Sequence, residues 1–430
     1  MTIAPVRATL DPQPSPPATR TGRRRLTVVA ISVAVVALPL LRPSGPGNTG
    51  AVDLALLGAV LAAAMWASAR SHVIRLPYAL PVGLTMLAGA LAATLADMGV
   101  NGRGEGLIAL AQDMFVLVWA GAIATVGQDR QLLDVICRAW AYSAVAWAVV
   151  LIAADLTGQN WLSGVSGADG IRASLTLGDP NLAADYFICG LLVIRATRRP
   201  RATGWRWFAC ALVVTAVVLT LSNGGMLALF AATTAGWLFR LASRRGLLVA
   251  GAAAALLTVT GTVAFTTINL QDVIVSAEQA SPLARDSIGR EAESGGSRST
   301  LTEETARMWF TGQDVLGLGP GNTQQTLRSR QAPYVKEAHN DYLAAILERG
   351  VLGGLALVAL AVAVAVRARR ISRPGGVDPP FLEVVPRPEL LAAAIVAIGV
   401  SALFYEVLHF RHIWALLGLV AALELSGRRR

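Results

Sequence analysis

The sequence predicts an all-α polytopic membrane protein with about twelve transmembrane helices and one large extracytoplasmic loop. Three observations lead to this fold class. Of the 430 residues, 54% are hydrophobic and only 15% are charged, a balance typical of membrane proteins and unlike that of soluble enzymes. Apolar stretches long enough for a span of roughly 20 residues recur along almost the whole chain, and barrel strands are much shorter. Arginine clusters occupy alternate connections between these stretches.

Twelve apolar segments are predicted to form the spans. Each is expected to be a helix, because a helix satisfies its own backbone polar groups within lipid. The segments lie at residues 26–41, 51–69, 76–96, 106–126, 132–154, 181–195, 205–222, 224–239, 246–268, 343–366, 389–406 and 410–425.

The distribution of arginine predicts the orientation. If the N-terminus is inside and the spans alternate, every inside connection is basic and every outside connection is acidic or weakly charged. Both termini are therefore expected in the cytoplasm. The predicted organisation is a disordered tail at 1–25, nine spans at 26–268, an extracytoplasmic loop subdomain at 269–342, three spans at 343–425 and a tail at 426–430.

The formal net charge of +10 does not predict a nucleic-acid partner. The arginines stand in short clusters between apolar runs, and no basic face interleaved with aromatic residues accompanies them. The excess of arginine over lysine and the abundance of alanine are typical of a GC-rich bacterium. The expected surroundings are the lipid bilayer, with no nucleic acid and no cofactor.

His339 is the first candidate for chemistry, in the sequence KEAHNDYLAAILERG at 336–350. It is predicted to lie outside, at the start of the helix that enters the tenth span. On such a helix it would share a face with Tyr342 and point into an apolar crevice. A histidine there has a pKa near neutrality and can take a proton from an attacking hydroxyl. The alternative is a helix-capping cluster, with Asn340 or Asp341 as the N-cap.

The outside arginines are candidates for binding an anion. Guanidinium groups bind phosphate through two parallel hydrogen bonds, and a histidine base among arginines near lipid headgroups suits a transfer with a diphosphate leaving group. For a single arginine an ion pair is the alternative, and Arg307 has Glu303 and Glu304 at the required spacings. The arginines are Arg103, Arg172, Arg285, Arg290, Arg298, Arg307, Arg328 and Arg330.

A further polar cluster lies in the sequence EVLHFRHIW at 406–414, with Glu406, His409, Arg411 and His412. Two histidines and a carboxylate can bind a metal, but this spacing is not a zinc signature. Histidine, arginine and tryptophan also anchor helix ends at the membrane interface. No metal site is predicted here.

Four stretches together resemble the O-antigen ligase and O-antigen polymerase superfamily. The resemblance spans roughly residues 170 to 425. Its most specific part is the His-Asn pair that follows a Gly-rich turn predicted at 317–322, with the sequence GLGPGN. The stretches are IRASLTLGDPNLAADYF (171–187), SRSTLTEETARMWFTGQDVLGLGPGN (297–322), EAHNDYLAAILERGVLGGL (337–355) and FRHIWALLGL (410–419).

The resemblance implies a lipid-carrier-dependent, GT-C-like glycosyltransferase in the cytoplasmic membrane of a bacterium. Such an enzyme is metal-independent and inverting, and moves a glycan from undecaprenyl diphosphate to a lipid, glycan or protein acceptor on the outer side. His339 matches the essential loop histidine of the family. The resemblance implies Arg172 and Arg298 as diphosphate-binding residues. Arg307 is predicted as a further diphosphate-binding residue, and the predicted supporting residues are Asn181, Asn340 and Tyr342.

One position departs from the family pattern. Many relatives have a Ser-Arg-Gly sequence at the mouth of a span, where this chain has Asn223 and Gly224 after Ser222. If that arginine grips the diphosphate in relatives, another arginine must replace it here. The alternatives to a ligase are a polysaccharide polymerase, a polysaccharide transporter and a non-catalytic membrane subunit, and the missing arginine favours the last.

Overall fold

The structure is a computed structural model that describes residues 18–42, 49–70, 72–95, 100–165, 171–267, 303–310, 315–331 and 340–428. All regular secondary structure in these ranges is helical. The long helices are α1 (Ala18–Val36), α2 (Ala51–Ala69), α3 (Ala79–Leu95), α4 (Val100–Val126), α5 (Arg130–Leu156), α7 (Pro180–Thr197), α8 (Thr203–Leu219), α9 (Asn223–Arg245), α10 (Leu247–Thr267), α13 (Asp341–Ile371), α15 (Glu389–Ser401) and α16 (Arg411–Gly427). The short ones are α6 (Asn160–Ser163), α11 (303–310), α12 (Thr323–Ser329) and α14 (Pro379–Leu382).

Each of the twelve predicted spans coincides with one long helix, and most ends agree within a few residues. The largest differences are early starts: α1 begins at Ala18 and α4 at Val100, both inside segments predicted to be non-helical. Five helices, α2, α4, α5, α9 and α13, are long and apolar enough to cross a membrane. The chain is therefore a polytopic α-helical membrane protein, and the count of twelve spans stays a prediction.

Polar side chains cap the helices that start near connections. The Asp129 carboxylate accepts from two backbone N–H groups at the start of α5. Asp179 accepts from the N–H of Asn181 at the start of α7, where Pro180 takes the first helical position. Such caps satisfy donors that have no partner within the helix, and proline at the first position sacrifices no hydrogen bond.

Helices α7 and α16 lie at the centre of the bundle, because nearly every residue of both is buried. Small residues bring the surrounding helices close to them. Gly190 of α7 lies against Ala144 of α5, and Gly418 of α16 lies against the backbone of Ala120 in α4. Close backbone approach at small residues is the usual way in which membrane helices gain packing energy, since lipid offers no hydrophobic driving force between them.

A small second core joins the outer segments to α13. Met308 of α11, Leu327 of α12 and Leu347 of α13 are buried together, with Trp309 and Leu318 packed against them. Helix α11 at 303–310 is thus held against α13.

Candidate functional site

The Gly-rich turn predicted at 317–322 is present, and it packs against a kink in α13. The kink is at Gly350, whose φ of 65° and ψ of −167° interrupt the helix. Val351 donates a backbone hydrogen bond to Val315 at 3.0 Å, across the kink. The turn's glycines, Gly317, Gly319 and Gly321, all have positive φ, which explains their alternating spacing because other residues rarely adopt that region.

Glu348 ties the turn to the first part of α13. Its carboxylate accepts hydrogen bonds from the backbone N–H of Gly321 at 2.9 Å and from the Thr323 hydroxyl at 2.6 Å. The backbone N–H of Gly319 donates to its carbonyl at 2.9 Å. Glu348, next to the kink, therefore fixes the position of the turn through three hydrogen bonds.

The first residues of α13 are anchored to the connection between α15 and α16. Asn340 is the N-cap, and its side-chain NH₂ also donates to the Leu403 carbonyl at 3.0 Å. Asp341 donates its backbone N–H to Ala402 and accepts from the backbone N–H of Val407 at 2.9 Å. These contacts hold the start of α13 beside the 402–407 segment.

A cavity of about 520 Å³ opens where these segments meet. It lies at the end of the bundle predicted to face outward. Its lining comes from six parts of the chain: Leu41, Arg42, Ile108, Ala109, Gln112, Leu177, Gly178, Asp179, Leu182, Gly321, Thr323, Gln324, Glu348, Arg349, Tyr405, Glu406, His409, Phe410 and Arg411.

Two of the three arginines in the cavity wall are neutralised by carboxylates. Arg349 contacts Asp113 of α4 at 2.5 Å. Arg411 makes two parallel hydrogen bonds of 2.9 Å to Asp53 of α2. Each buried charge is compensated by its partner. The two pairs also join helices that are distant in the chain, α13 to α4 and α16 to α2.

Arg42 has a different partner. Its guanidinium donates to the Gly178 carbonyl at 3.0 Å, a neutral acceptor. Gly178 has a φ of 83°, and a Cβ there would overlap the Arg42 side chain. The glycine thus leaves room for an arginine whose positive charge faces the cavity without a carboxylate as its hydrogen-bond acceptor.

His409 is a second positive charge in the cavity wall. Burial lowers the pKa of His409. The hydrogen bond and charge of Glu406, followed by the charges of Asp341 and Asp113, raise this pKa by more than burial lowers it. The net result is a pKa raised to about 9, so this imidazole is protonated at neutral pH. The Nε2 atom of His409 lies 3.5 Å from the Oε2 atom of Glu406.

Arg172 lies beside the Ser222-Asn223-Gly224 sequence. Its Nε donates to the Thr220 carbonyl at 3.2 Å, and its Nη2 donates to the Asn181 side chain at 3.2 Å. The Ser222 hydroxyl donates to the same Asn181 oxygen at 2.7 Å and caps α9 by accepting from Gly225. Arg172 therefore places a guanidinium at the mouth of α9.

Residues 208–358 match the model of the O-antigen ligase family. This stretch is similar to an O-antigen ligase domain. The match covers about a third of the chain and includes α9, the Gly-rich turn, His339 and the kink of α13. The resemblance drawn from the motifs is confirmed, and with it a multi-pass membrane protein of polysaccharide biosynthesis. No curated protein matches the chain.

Arg172 lies next to the Ser222-Asn223-Gly224 sequence, which itself lacks an arginine. The Asn181 side-chain oxygen accepts from both Arg172 and the Ser222 hydroxyl. Arg172 and Asn181 are separate predictions from the sequence, and the structure brings them together.

The other predicted site residues have different surroundings. His339 and Arg298 lie outside the described residues, as do Arg285 and Arg290. Arg307 is exposed on α11 and pairs with Glu303 at 3.1 Å, as its spacing predicts. Tyr342 donates its hydroxyl to the Gly399 carbonyl at 3.1 Å, which ties α13 to α15.

The start of α13 is capped by one of the two residues that the sequence offers for this role. The helix begins at Asp341, and the side chain of the N-cap Asn340 accepts from the backbone N–H groups of Tyr342 and Leu343. The face shared by His339 and Tyr342 stays a prediction, because His339 lies outside the described residues.

The polar cluster of 406–414 is divided between two places. Glu406 and His409 line the cavity. His412 lies within α16, where its ring packs edge-on against Tyr186 with the ring centres 5.8 Å apart. The two histidines are separated because His409 precedes the start of α16 at Arg411, whereas His412 lies inside that helix.

Sequence reasoning missed Arg42 and Glu348. Arg42 follows the first span directly and looks like an interfacial anchor, and Glu348 looks like a polar residue on an amphipathic helix. The Gly178 that faces Arg42 is a signal only in retrospect, since it stands 136 residues away.

Proposed function

We propose that the protein is a metal-independent, inverting glycosyltransferase that moves a glycan from undecaprenyl diphosphate to a lipid, glycan or protein acceptor. The reaction takes place at the outer side of a bacterial cytoplasmic membrane. The supporting observation is the 520 Å³ cavity, which gathers the Gly-rich turn, the residues of α13 next to the kink and several cationic side chains at one end of the bundle. Part of its lining belongs to the stretch that matches the O-antigen ligase family.

His339 is the general base in this proposal. The acceptor hydroxyl attacks the anomeric carbon of the glycan, and its proton passes to the imidazole. The bond between that carbon and the diphosphate oxygen breaks, and the diphosphate leaves with the bonding electrons. His409 is a poor base by comparison, because a histidine that is already protonated cannot accept the proton.

Cations stabilise the negative charge that develops on the leaving diphosphate. Arg172 and Arg298 carry this role, with Arg307 as a further contact, and Asn181, Asn340 and Tyr342 hold the surrounding backbone. The cavity adds Arg42, whose guanidinium hydrogen-bonds a neutral carbonyl and keeps its charge available. The positive charges of Arg349 and Arg411 are neutralised by carboxylates, and these two arginines hold helices together.

The envelope glycans of a deletion strain test this proposal. A ligase predicts the loss of glycan-capped lipid or protein while the polymer itself persists on its carrier. A polymerase predicts single repeat units in place of long chains. An unchanged glycan profile, together with no transfer by the purified protein from a lipid-diphosphate donor, would contradict both enzymes.

A further inference from the structure

An arginine-lined cleft lies at the opposite end of the bundle from the outer cavity. It has a volume of about 1040 Å³ and opens between the N-terminal ends of α1 and α5. Six arginines and three carboxylates line it: Arg24, Arg70, Arg130, Arg138, Arg199, Arg201, Asp129, Asp134 and Glu383.

The carboxylates neutralise only half of this charge. Asp129 pairs with Arg24 and Arg70, Asp134 with Arg138 and Arg199, and Glu383 with Arg130. Three positive charges are left in excess. Two carboxylates are each shared by two guanidiniums, which leaves donors of those guanidiniums available to another anion.

Arg199 shows this surplus most directly. The residue is only 9% exposed, and its Nε is buried without a hydrogen-bond acceptor among the described residues. The Nε of Arg24 in the same wall is in the same situation. A buried donor without an acceptor costs free energy, and an anionic group bound in this wall would supply the acceptor.

The cleft continues into an apolar groove. The groove has a volume of about 730 Å³ and runs between α1 and α5, and it shares Val28, Val135 and Arg138 with the cleft. Apolar and small side chains of the two helices form most of the remaining lining, with Tyr142 and Trp147 along α5. Arg138 stands at the junction of the two spaces.

The groove is at least as long as one leaflet of a membrane core is thick. From Val135 to Val150, α5 covers about 22 Å at 1.5 Å per residue, whereas half of a bilayer core is about 15 Å. The groove therefore accommodates an acyl chain along its length. The Trp147 indole closes its far end by donating to the Val36 carbonyl at 2.9 Å.

We propose that the cleft and groove together bind one anionic phospholipid of the inner leaflet. The phosphate of the headgroup binds the arginine cluster through charge-assisted hydrogen bonds, and one acyl chain lies between α1 and α5. Charge complementarity selects an anionic headgroup, and the continuous apolar groove selects a lipid over a free phosphate. This site is separate from the outer cavity and does not depend on the proposed reaction.

Native mass spectrometry of the purified full-length protein tests the proposal. Long-chain phosphatidylglycerol, phosphatidylcholine of equal chain length, and glycerol phosphate are each titrated into the detergent-solubilised protein. We expect one phosphatidylglycerol to bind at least about tenfold more tightly than phosphatidylcholine. Both headgroups carry a phosphate, but only phosphatidylcholine adds a choline cation, which the excess of arginines in the cleft repels. Glycerol phosphate should not displace it.

Two variants separate the headgroup from the chain. Arg138→Gln should weaken phosphatidylglycerol binding about tenfold, and Ala146→Trp, which fills the groove at an exposed position, should weaken it comparably. Arg244→Gln removes the same charge from a predicted inside connection away from the cleft and should bind like the original protein. Circular dichroism checks that each variant keeps its helices.

Three results would overturn the proposal. They are equal binding of the two phospholipids, displacement by glycerol phosphate at matched concentration, or an Arg244→Gln protein as weak as Arg138→Gln. The last would mean that the positive charges act through the general surface potential of this face.

Discussion

His409 carries a positive charge in the wall of the outer cavity. The carboxylates of Glu406, Asp341 and Asp113 outweigh the effect of burial and raise its pKa to about 9, so the imidazole is protonated at neutral pH. A general base must be neutral at working pH, so His409 does not fit that role. The proposed base is therefore His339, which lies outside the described residues.

The first prediction concerns His339. Replacing it by alanine or by glutamine should reduce glycan transfer by about 10²–10⁴-fold, because a general base contributes that much and glutamine cannot take a proton. Folding should be retained, since Asn340 supplies the cap. Transfer is measured in reconstituted membranes with a lipid-linked donor, with and without a chelator, which should have no effect. Near-normal transfer by the alanine variant would remove His339 from the mechanism.

The second prediction concerns the arginines. Arg298→Ala and Arg172→Ala should each weaken donor use by about 1.5–3 kcal/mol, the worth of a charge-assisted contact. Arg285→Ala and Arg290→Ala should leave it nearly unchanged. The Michaelis constant for the donor is compared across the four variants.

Arg172 needs an additional control, because its side chain also joins Thr220 to Asn181. Asn181→Ala removes the same structural link and keeps the guanidinium. If Asn181→Ala weakens donor use as much as Arg172→Ala, or if all four arginine variants behave alike, the diphosphate assignment is wrong.

The third prediction is a pH dependence of stability. The pKa of His409 is about 9 in the folded protein and 6.5 in its unperturbed form. Its ion pair therefore stabilises the fold fully below about pH 6.5, and this stabilisation is lost as the pH rises through 9. The thermal midpoint in detergent should fall between pH 6.5 and 9.5, and Glu406→Gln should flatten that part of the profile. Parallel profiles for both proteins would show that the pair is not coupled to folding.

At the scale of elements, the Gly-rich turn and the kink of α13 form one unit. The turn fits only because α13 breaks at Gly350 and exposes backbone groups that the turn then satisfies, at Leu347, Glu348 and Val351. A straight helix would keep these groups paired internally and leave no place for the turn. The unit fixes the floor of the cavity through Glu348.

The fourth prediction tests this unit. Gly350→Ala should lower the free energy of unfolding by at least about 1–3 kcal/mol, since its φ and ψ lie in a region that is essentially restricted to glycine. A Cβ at 350 would also overlap the Val315 carbonyl. Chemical unfolding in detergent measures the effect, and glycan transfer should fall in parallel.

Gly251→Ala is the matched control. Gly251 lies within α10, and a Cβ there meets nothing within 4 Å. This substitution should be neutral or stabilising by up to about 1 kcal/mol, because alanine is the better helix former. Equal stability of the Gly350→Ala and original proteins would mean that the kink does not depend on glycine.

At the scale of the whole molecule, two charged spaces lie at opposite ends of the bundle. Arg24 near the start of α1 lines the inner cleft, and Arg42 just after the end of α1 lines the outer cavity. The inner space has a large excess of arginine, and the outer one balances arginine with carboxylates. This asymmetry is what the positive-inside rule predicts for an inside N-terminus.

The fifth prediction is therefore a topology with both termini inside and residues 269–342 outside. Reporter fusions at Ser294 and Ser372 should report opposite sides of the membrane. Signals from the same side would contradict the topology and, with it, the placement of His339 at the outer surface.

Helix positions were predictable because they depend on local composition. The start of α2 at Ala51 and its end at Ala69 coincide with the predicted span, since a run of apolar residues in lipid has no alternative to a helix. The sequence does not predict the kink at Gly350. The Glu-Arg-Gly sequence at 348–350 lies in the middle of an amphipathic pattern that is typical of a continuous helix. Only the distant turn at 315–322 shows why the helix breaks there.

The sequence by itself determined the class of protein, the position of each long helix, the turn at 317–322 and the relationship to O-antigen ligases. These follow from hydropathy, arginine distribution and short motifs, all of which are local. The tertiary structure alone decided that Arg172 stands at the mouth of α9, that Arg42 faces the outer cavity, and that His409 and His412 separate. Each depends on residues far apart in the chain, whose proximity is set by helix packing and by the hydrogen bonds of buried polar groups.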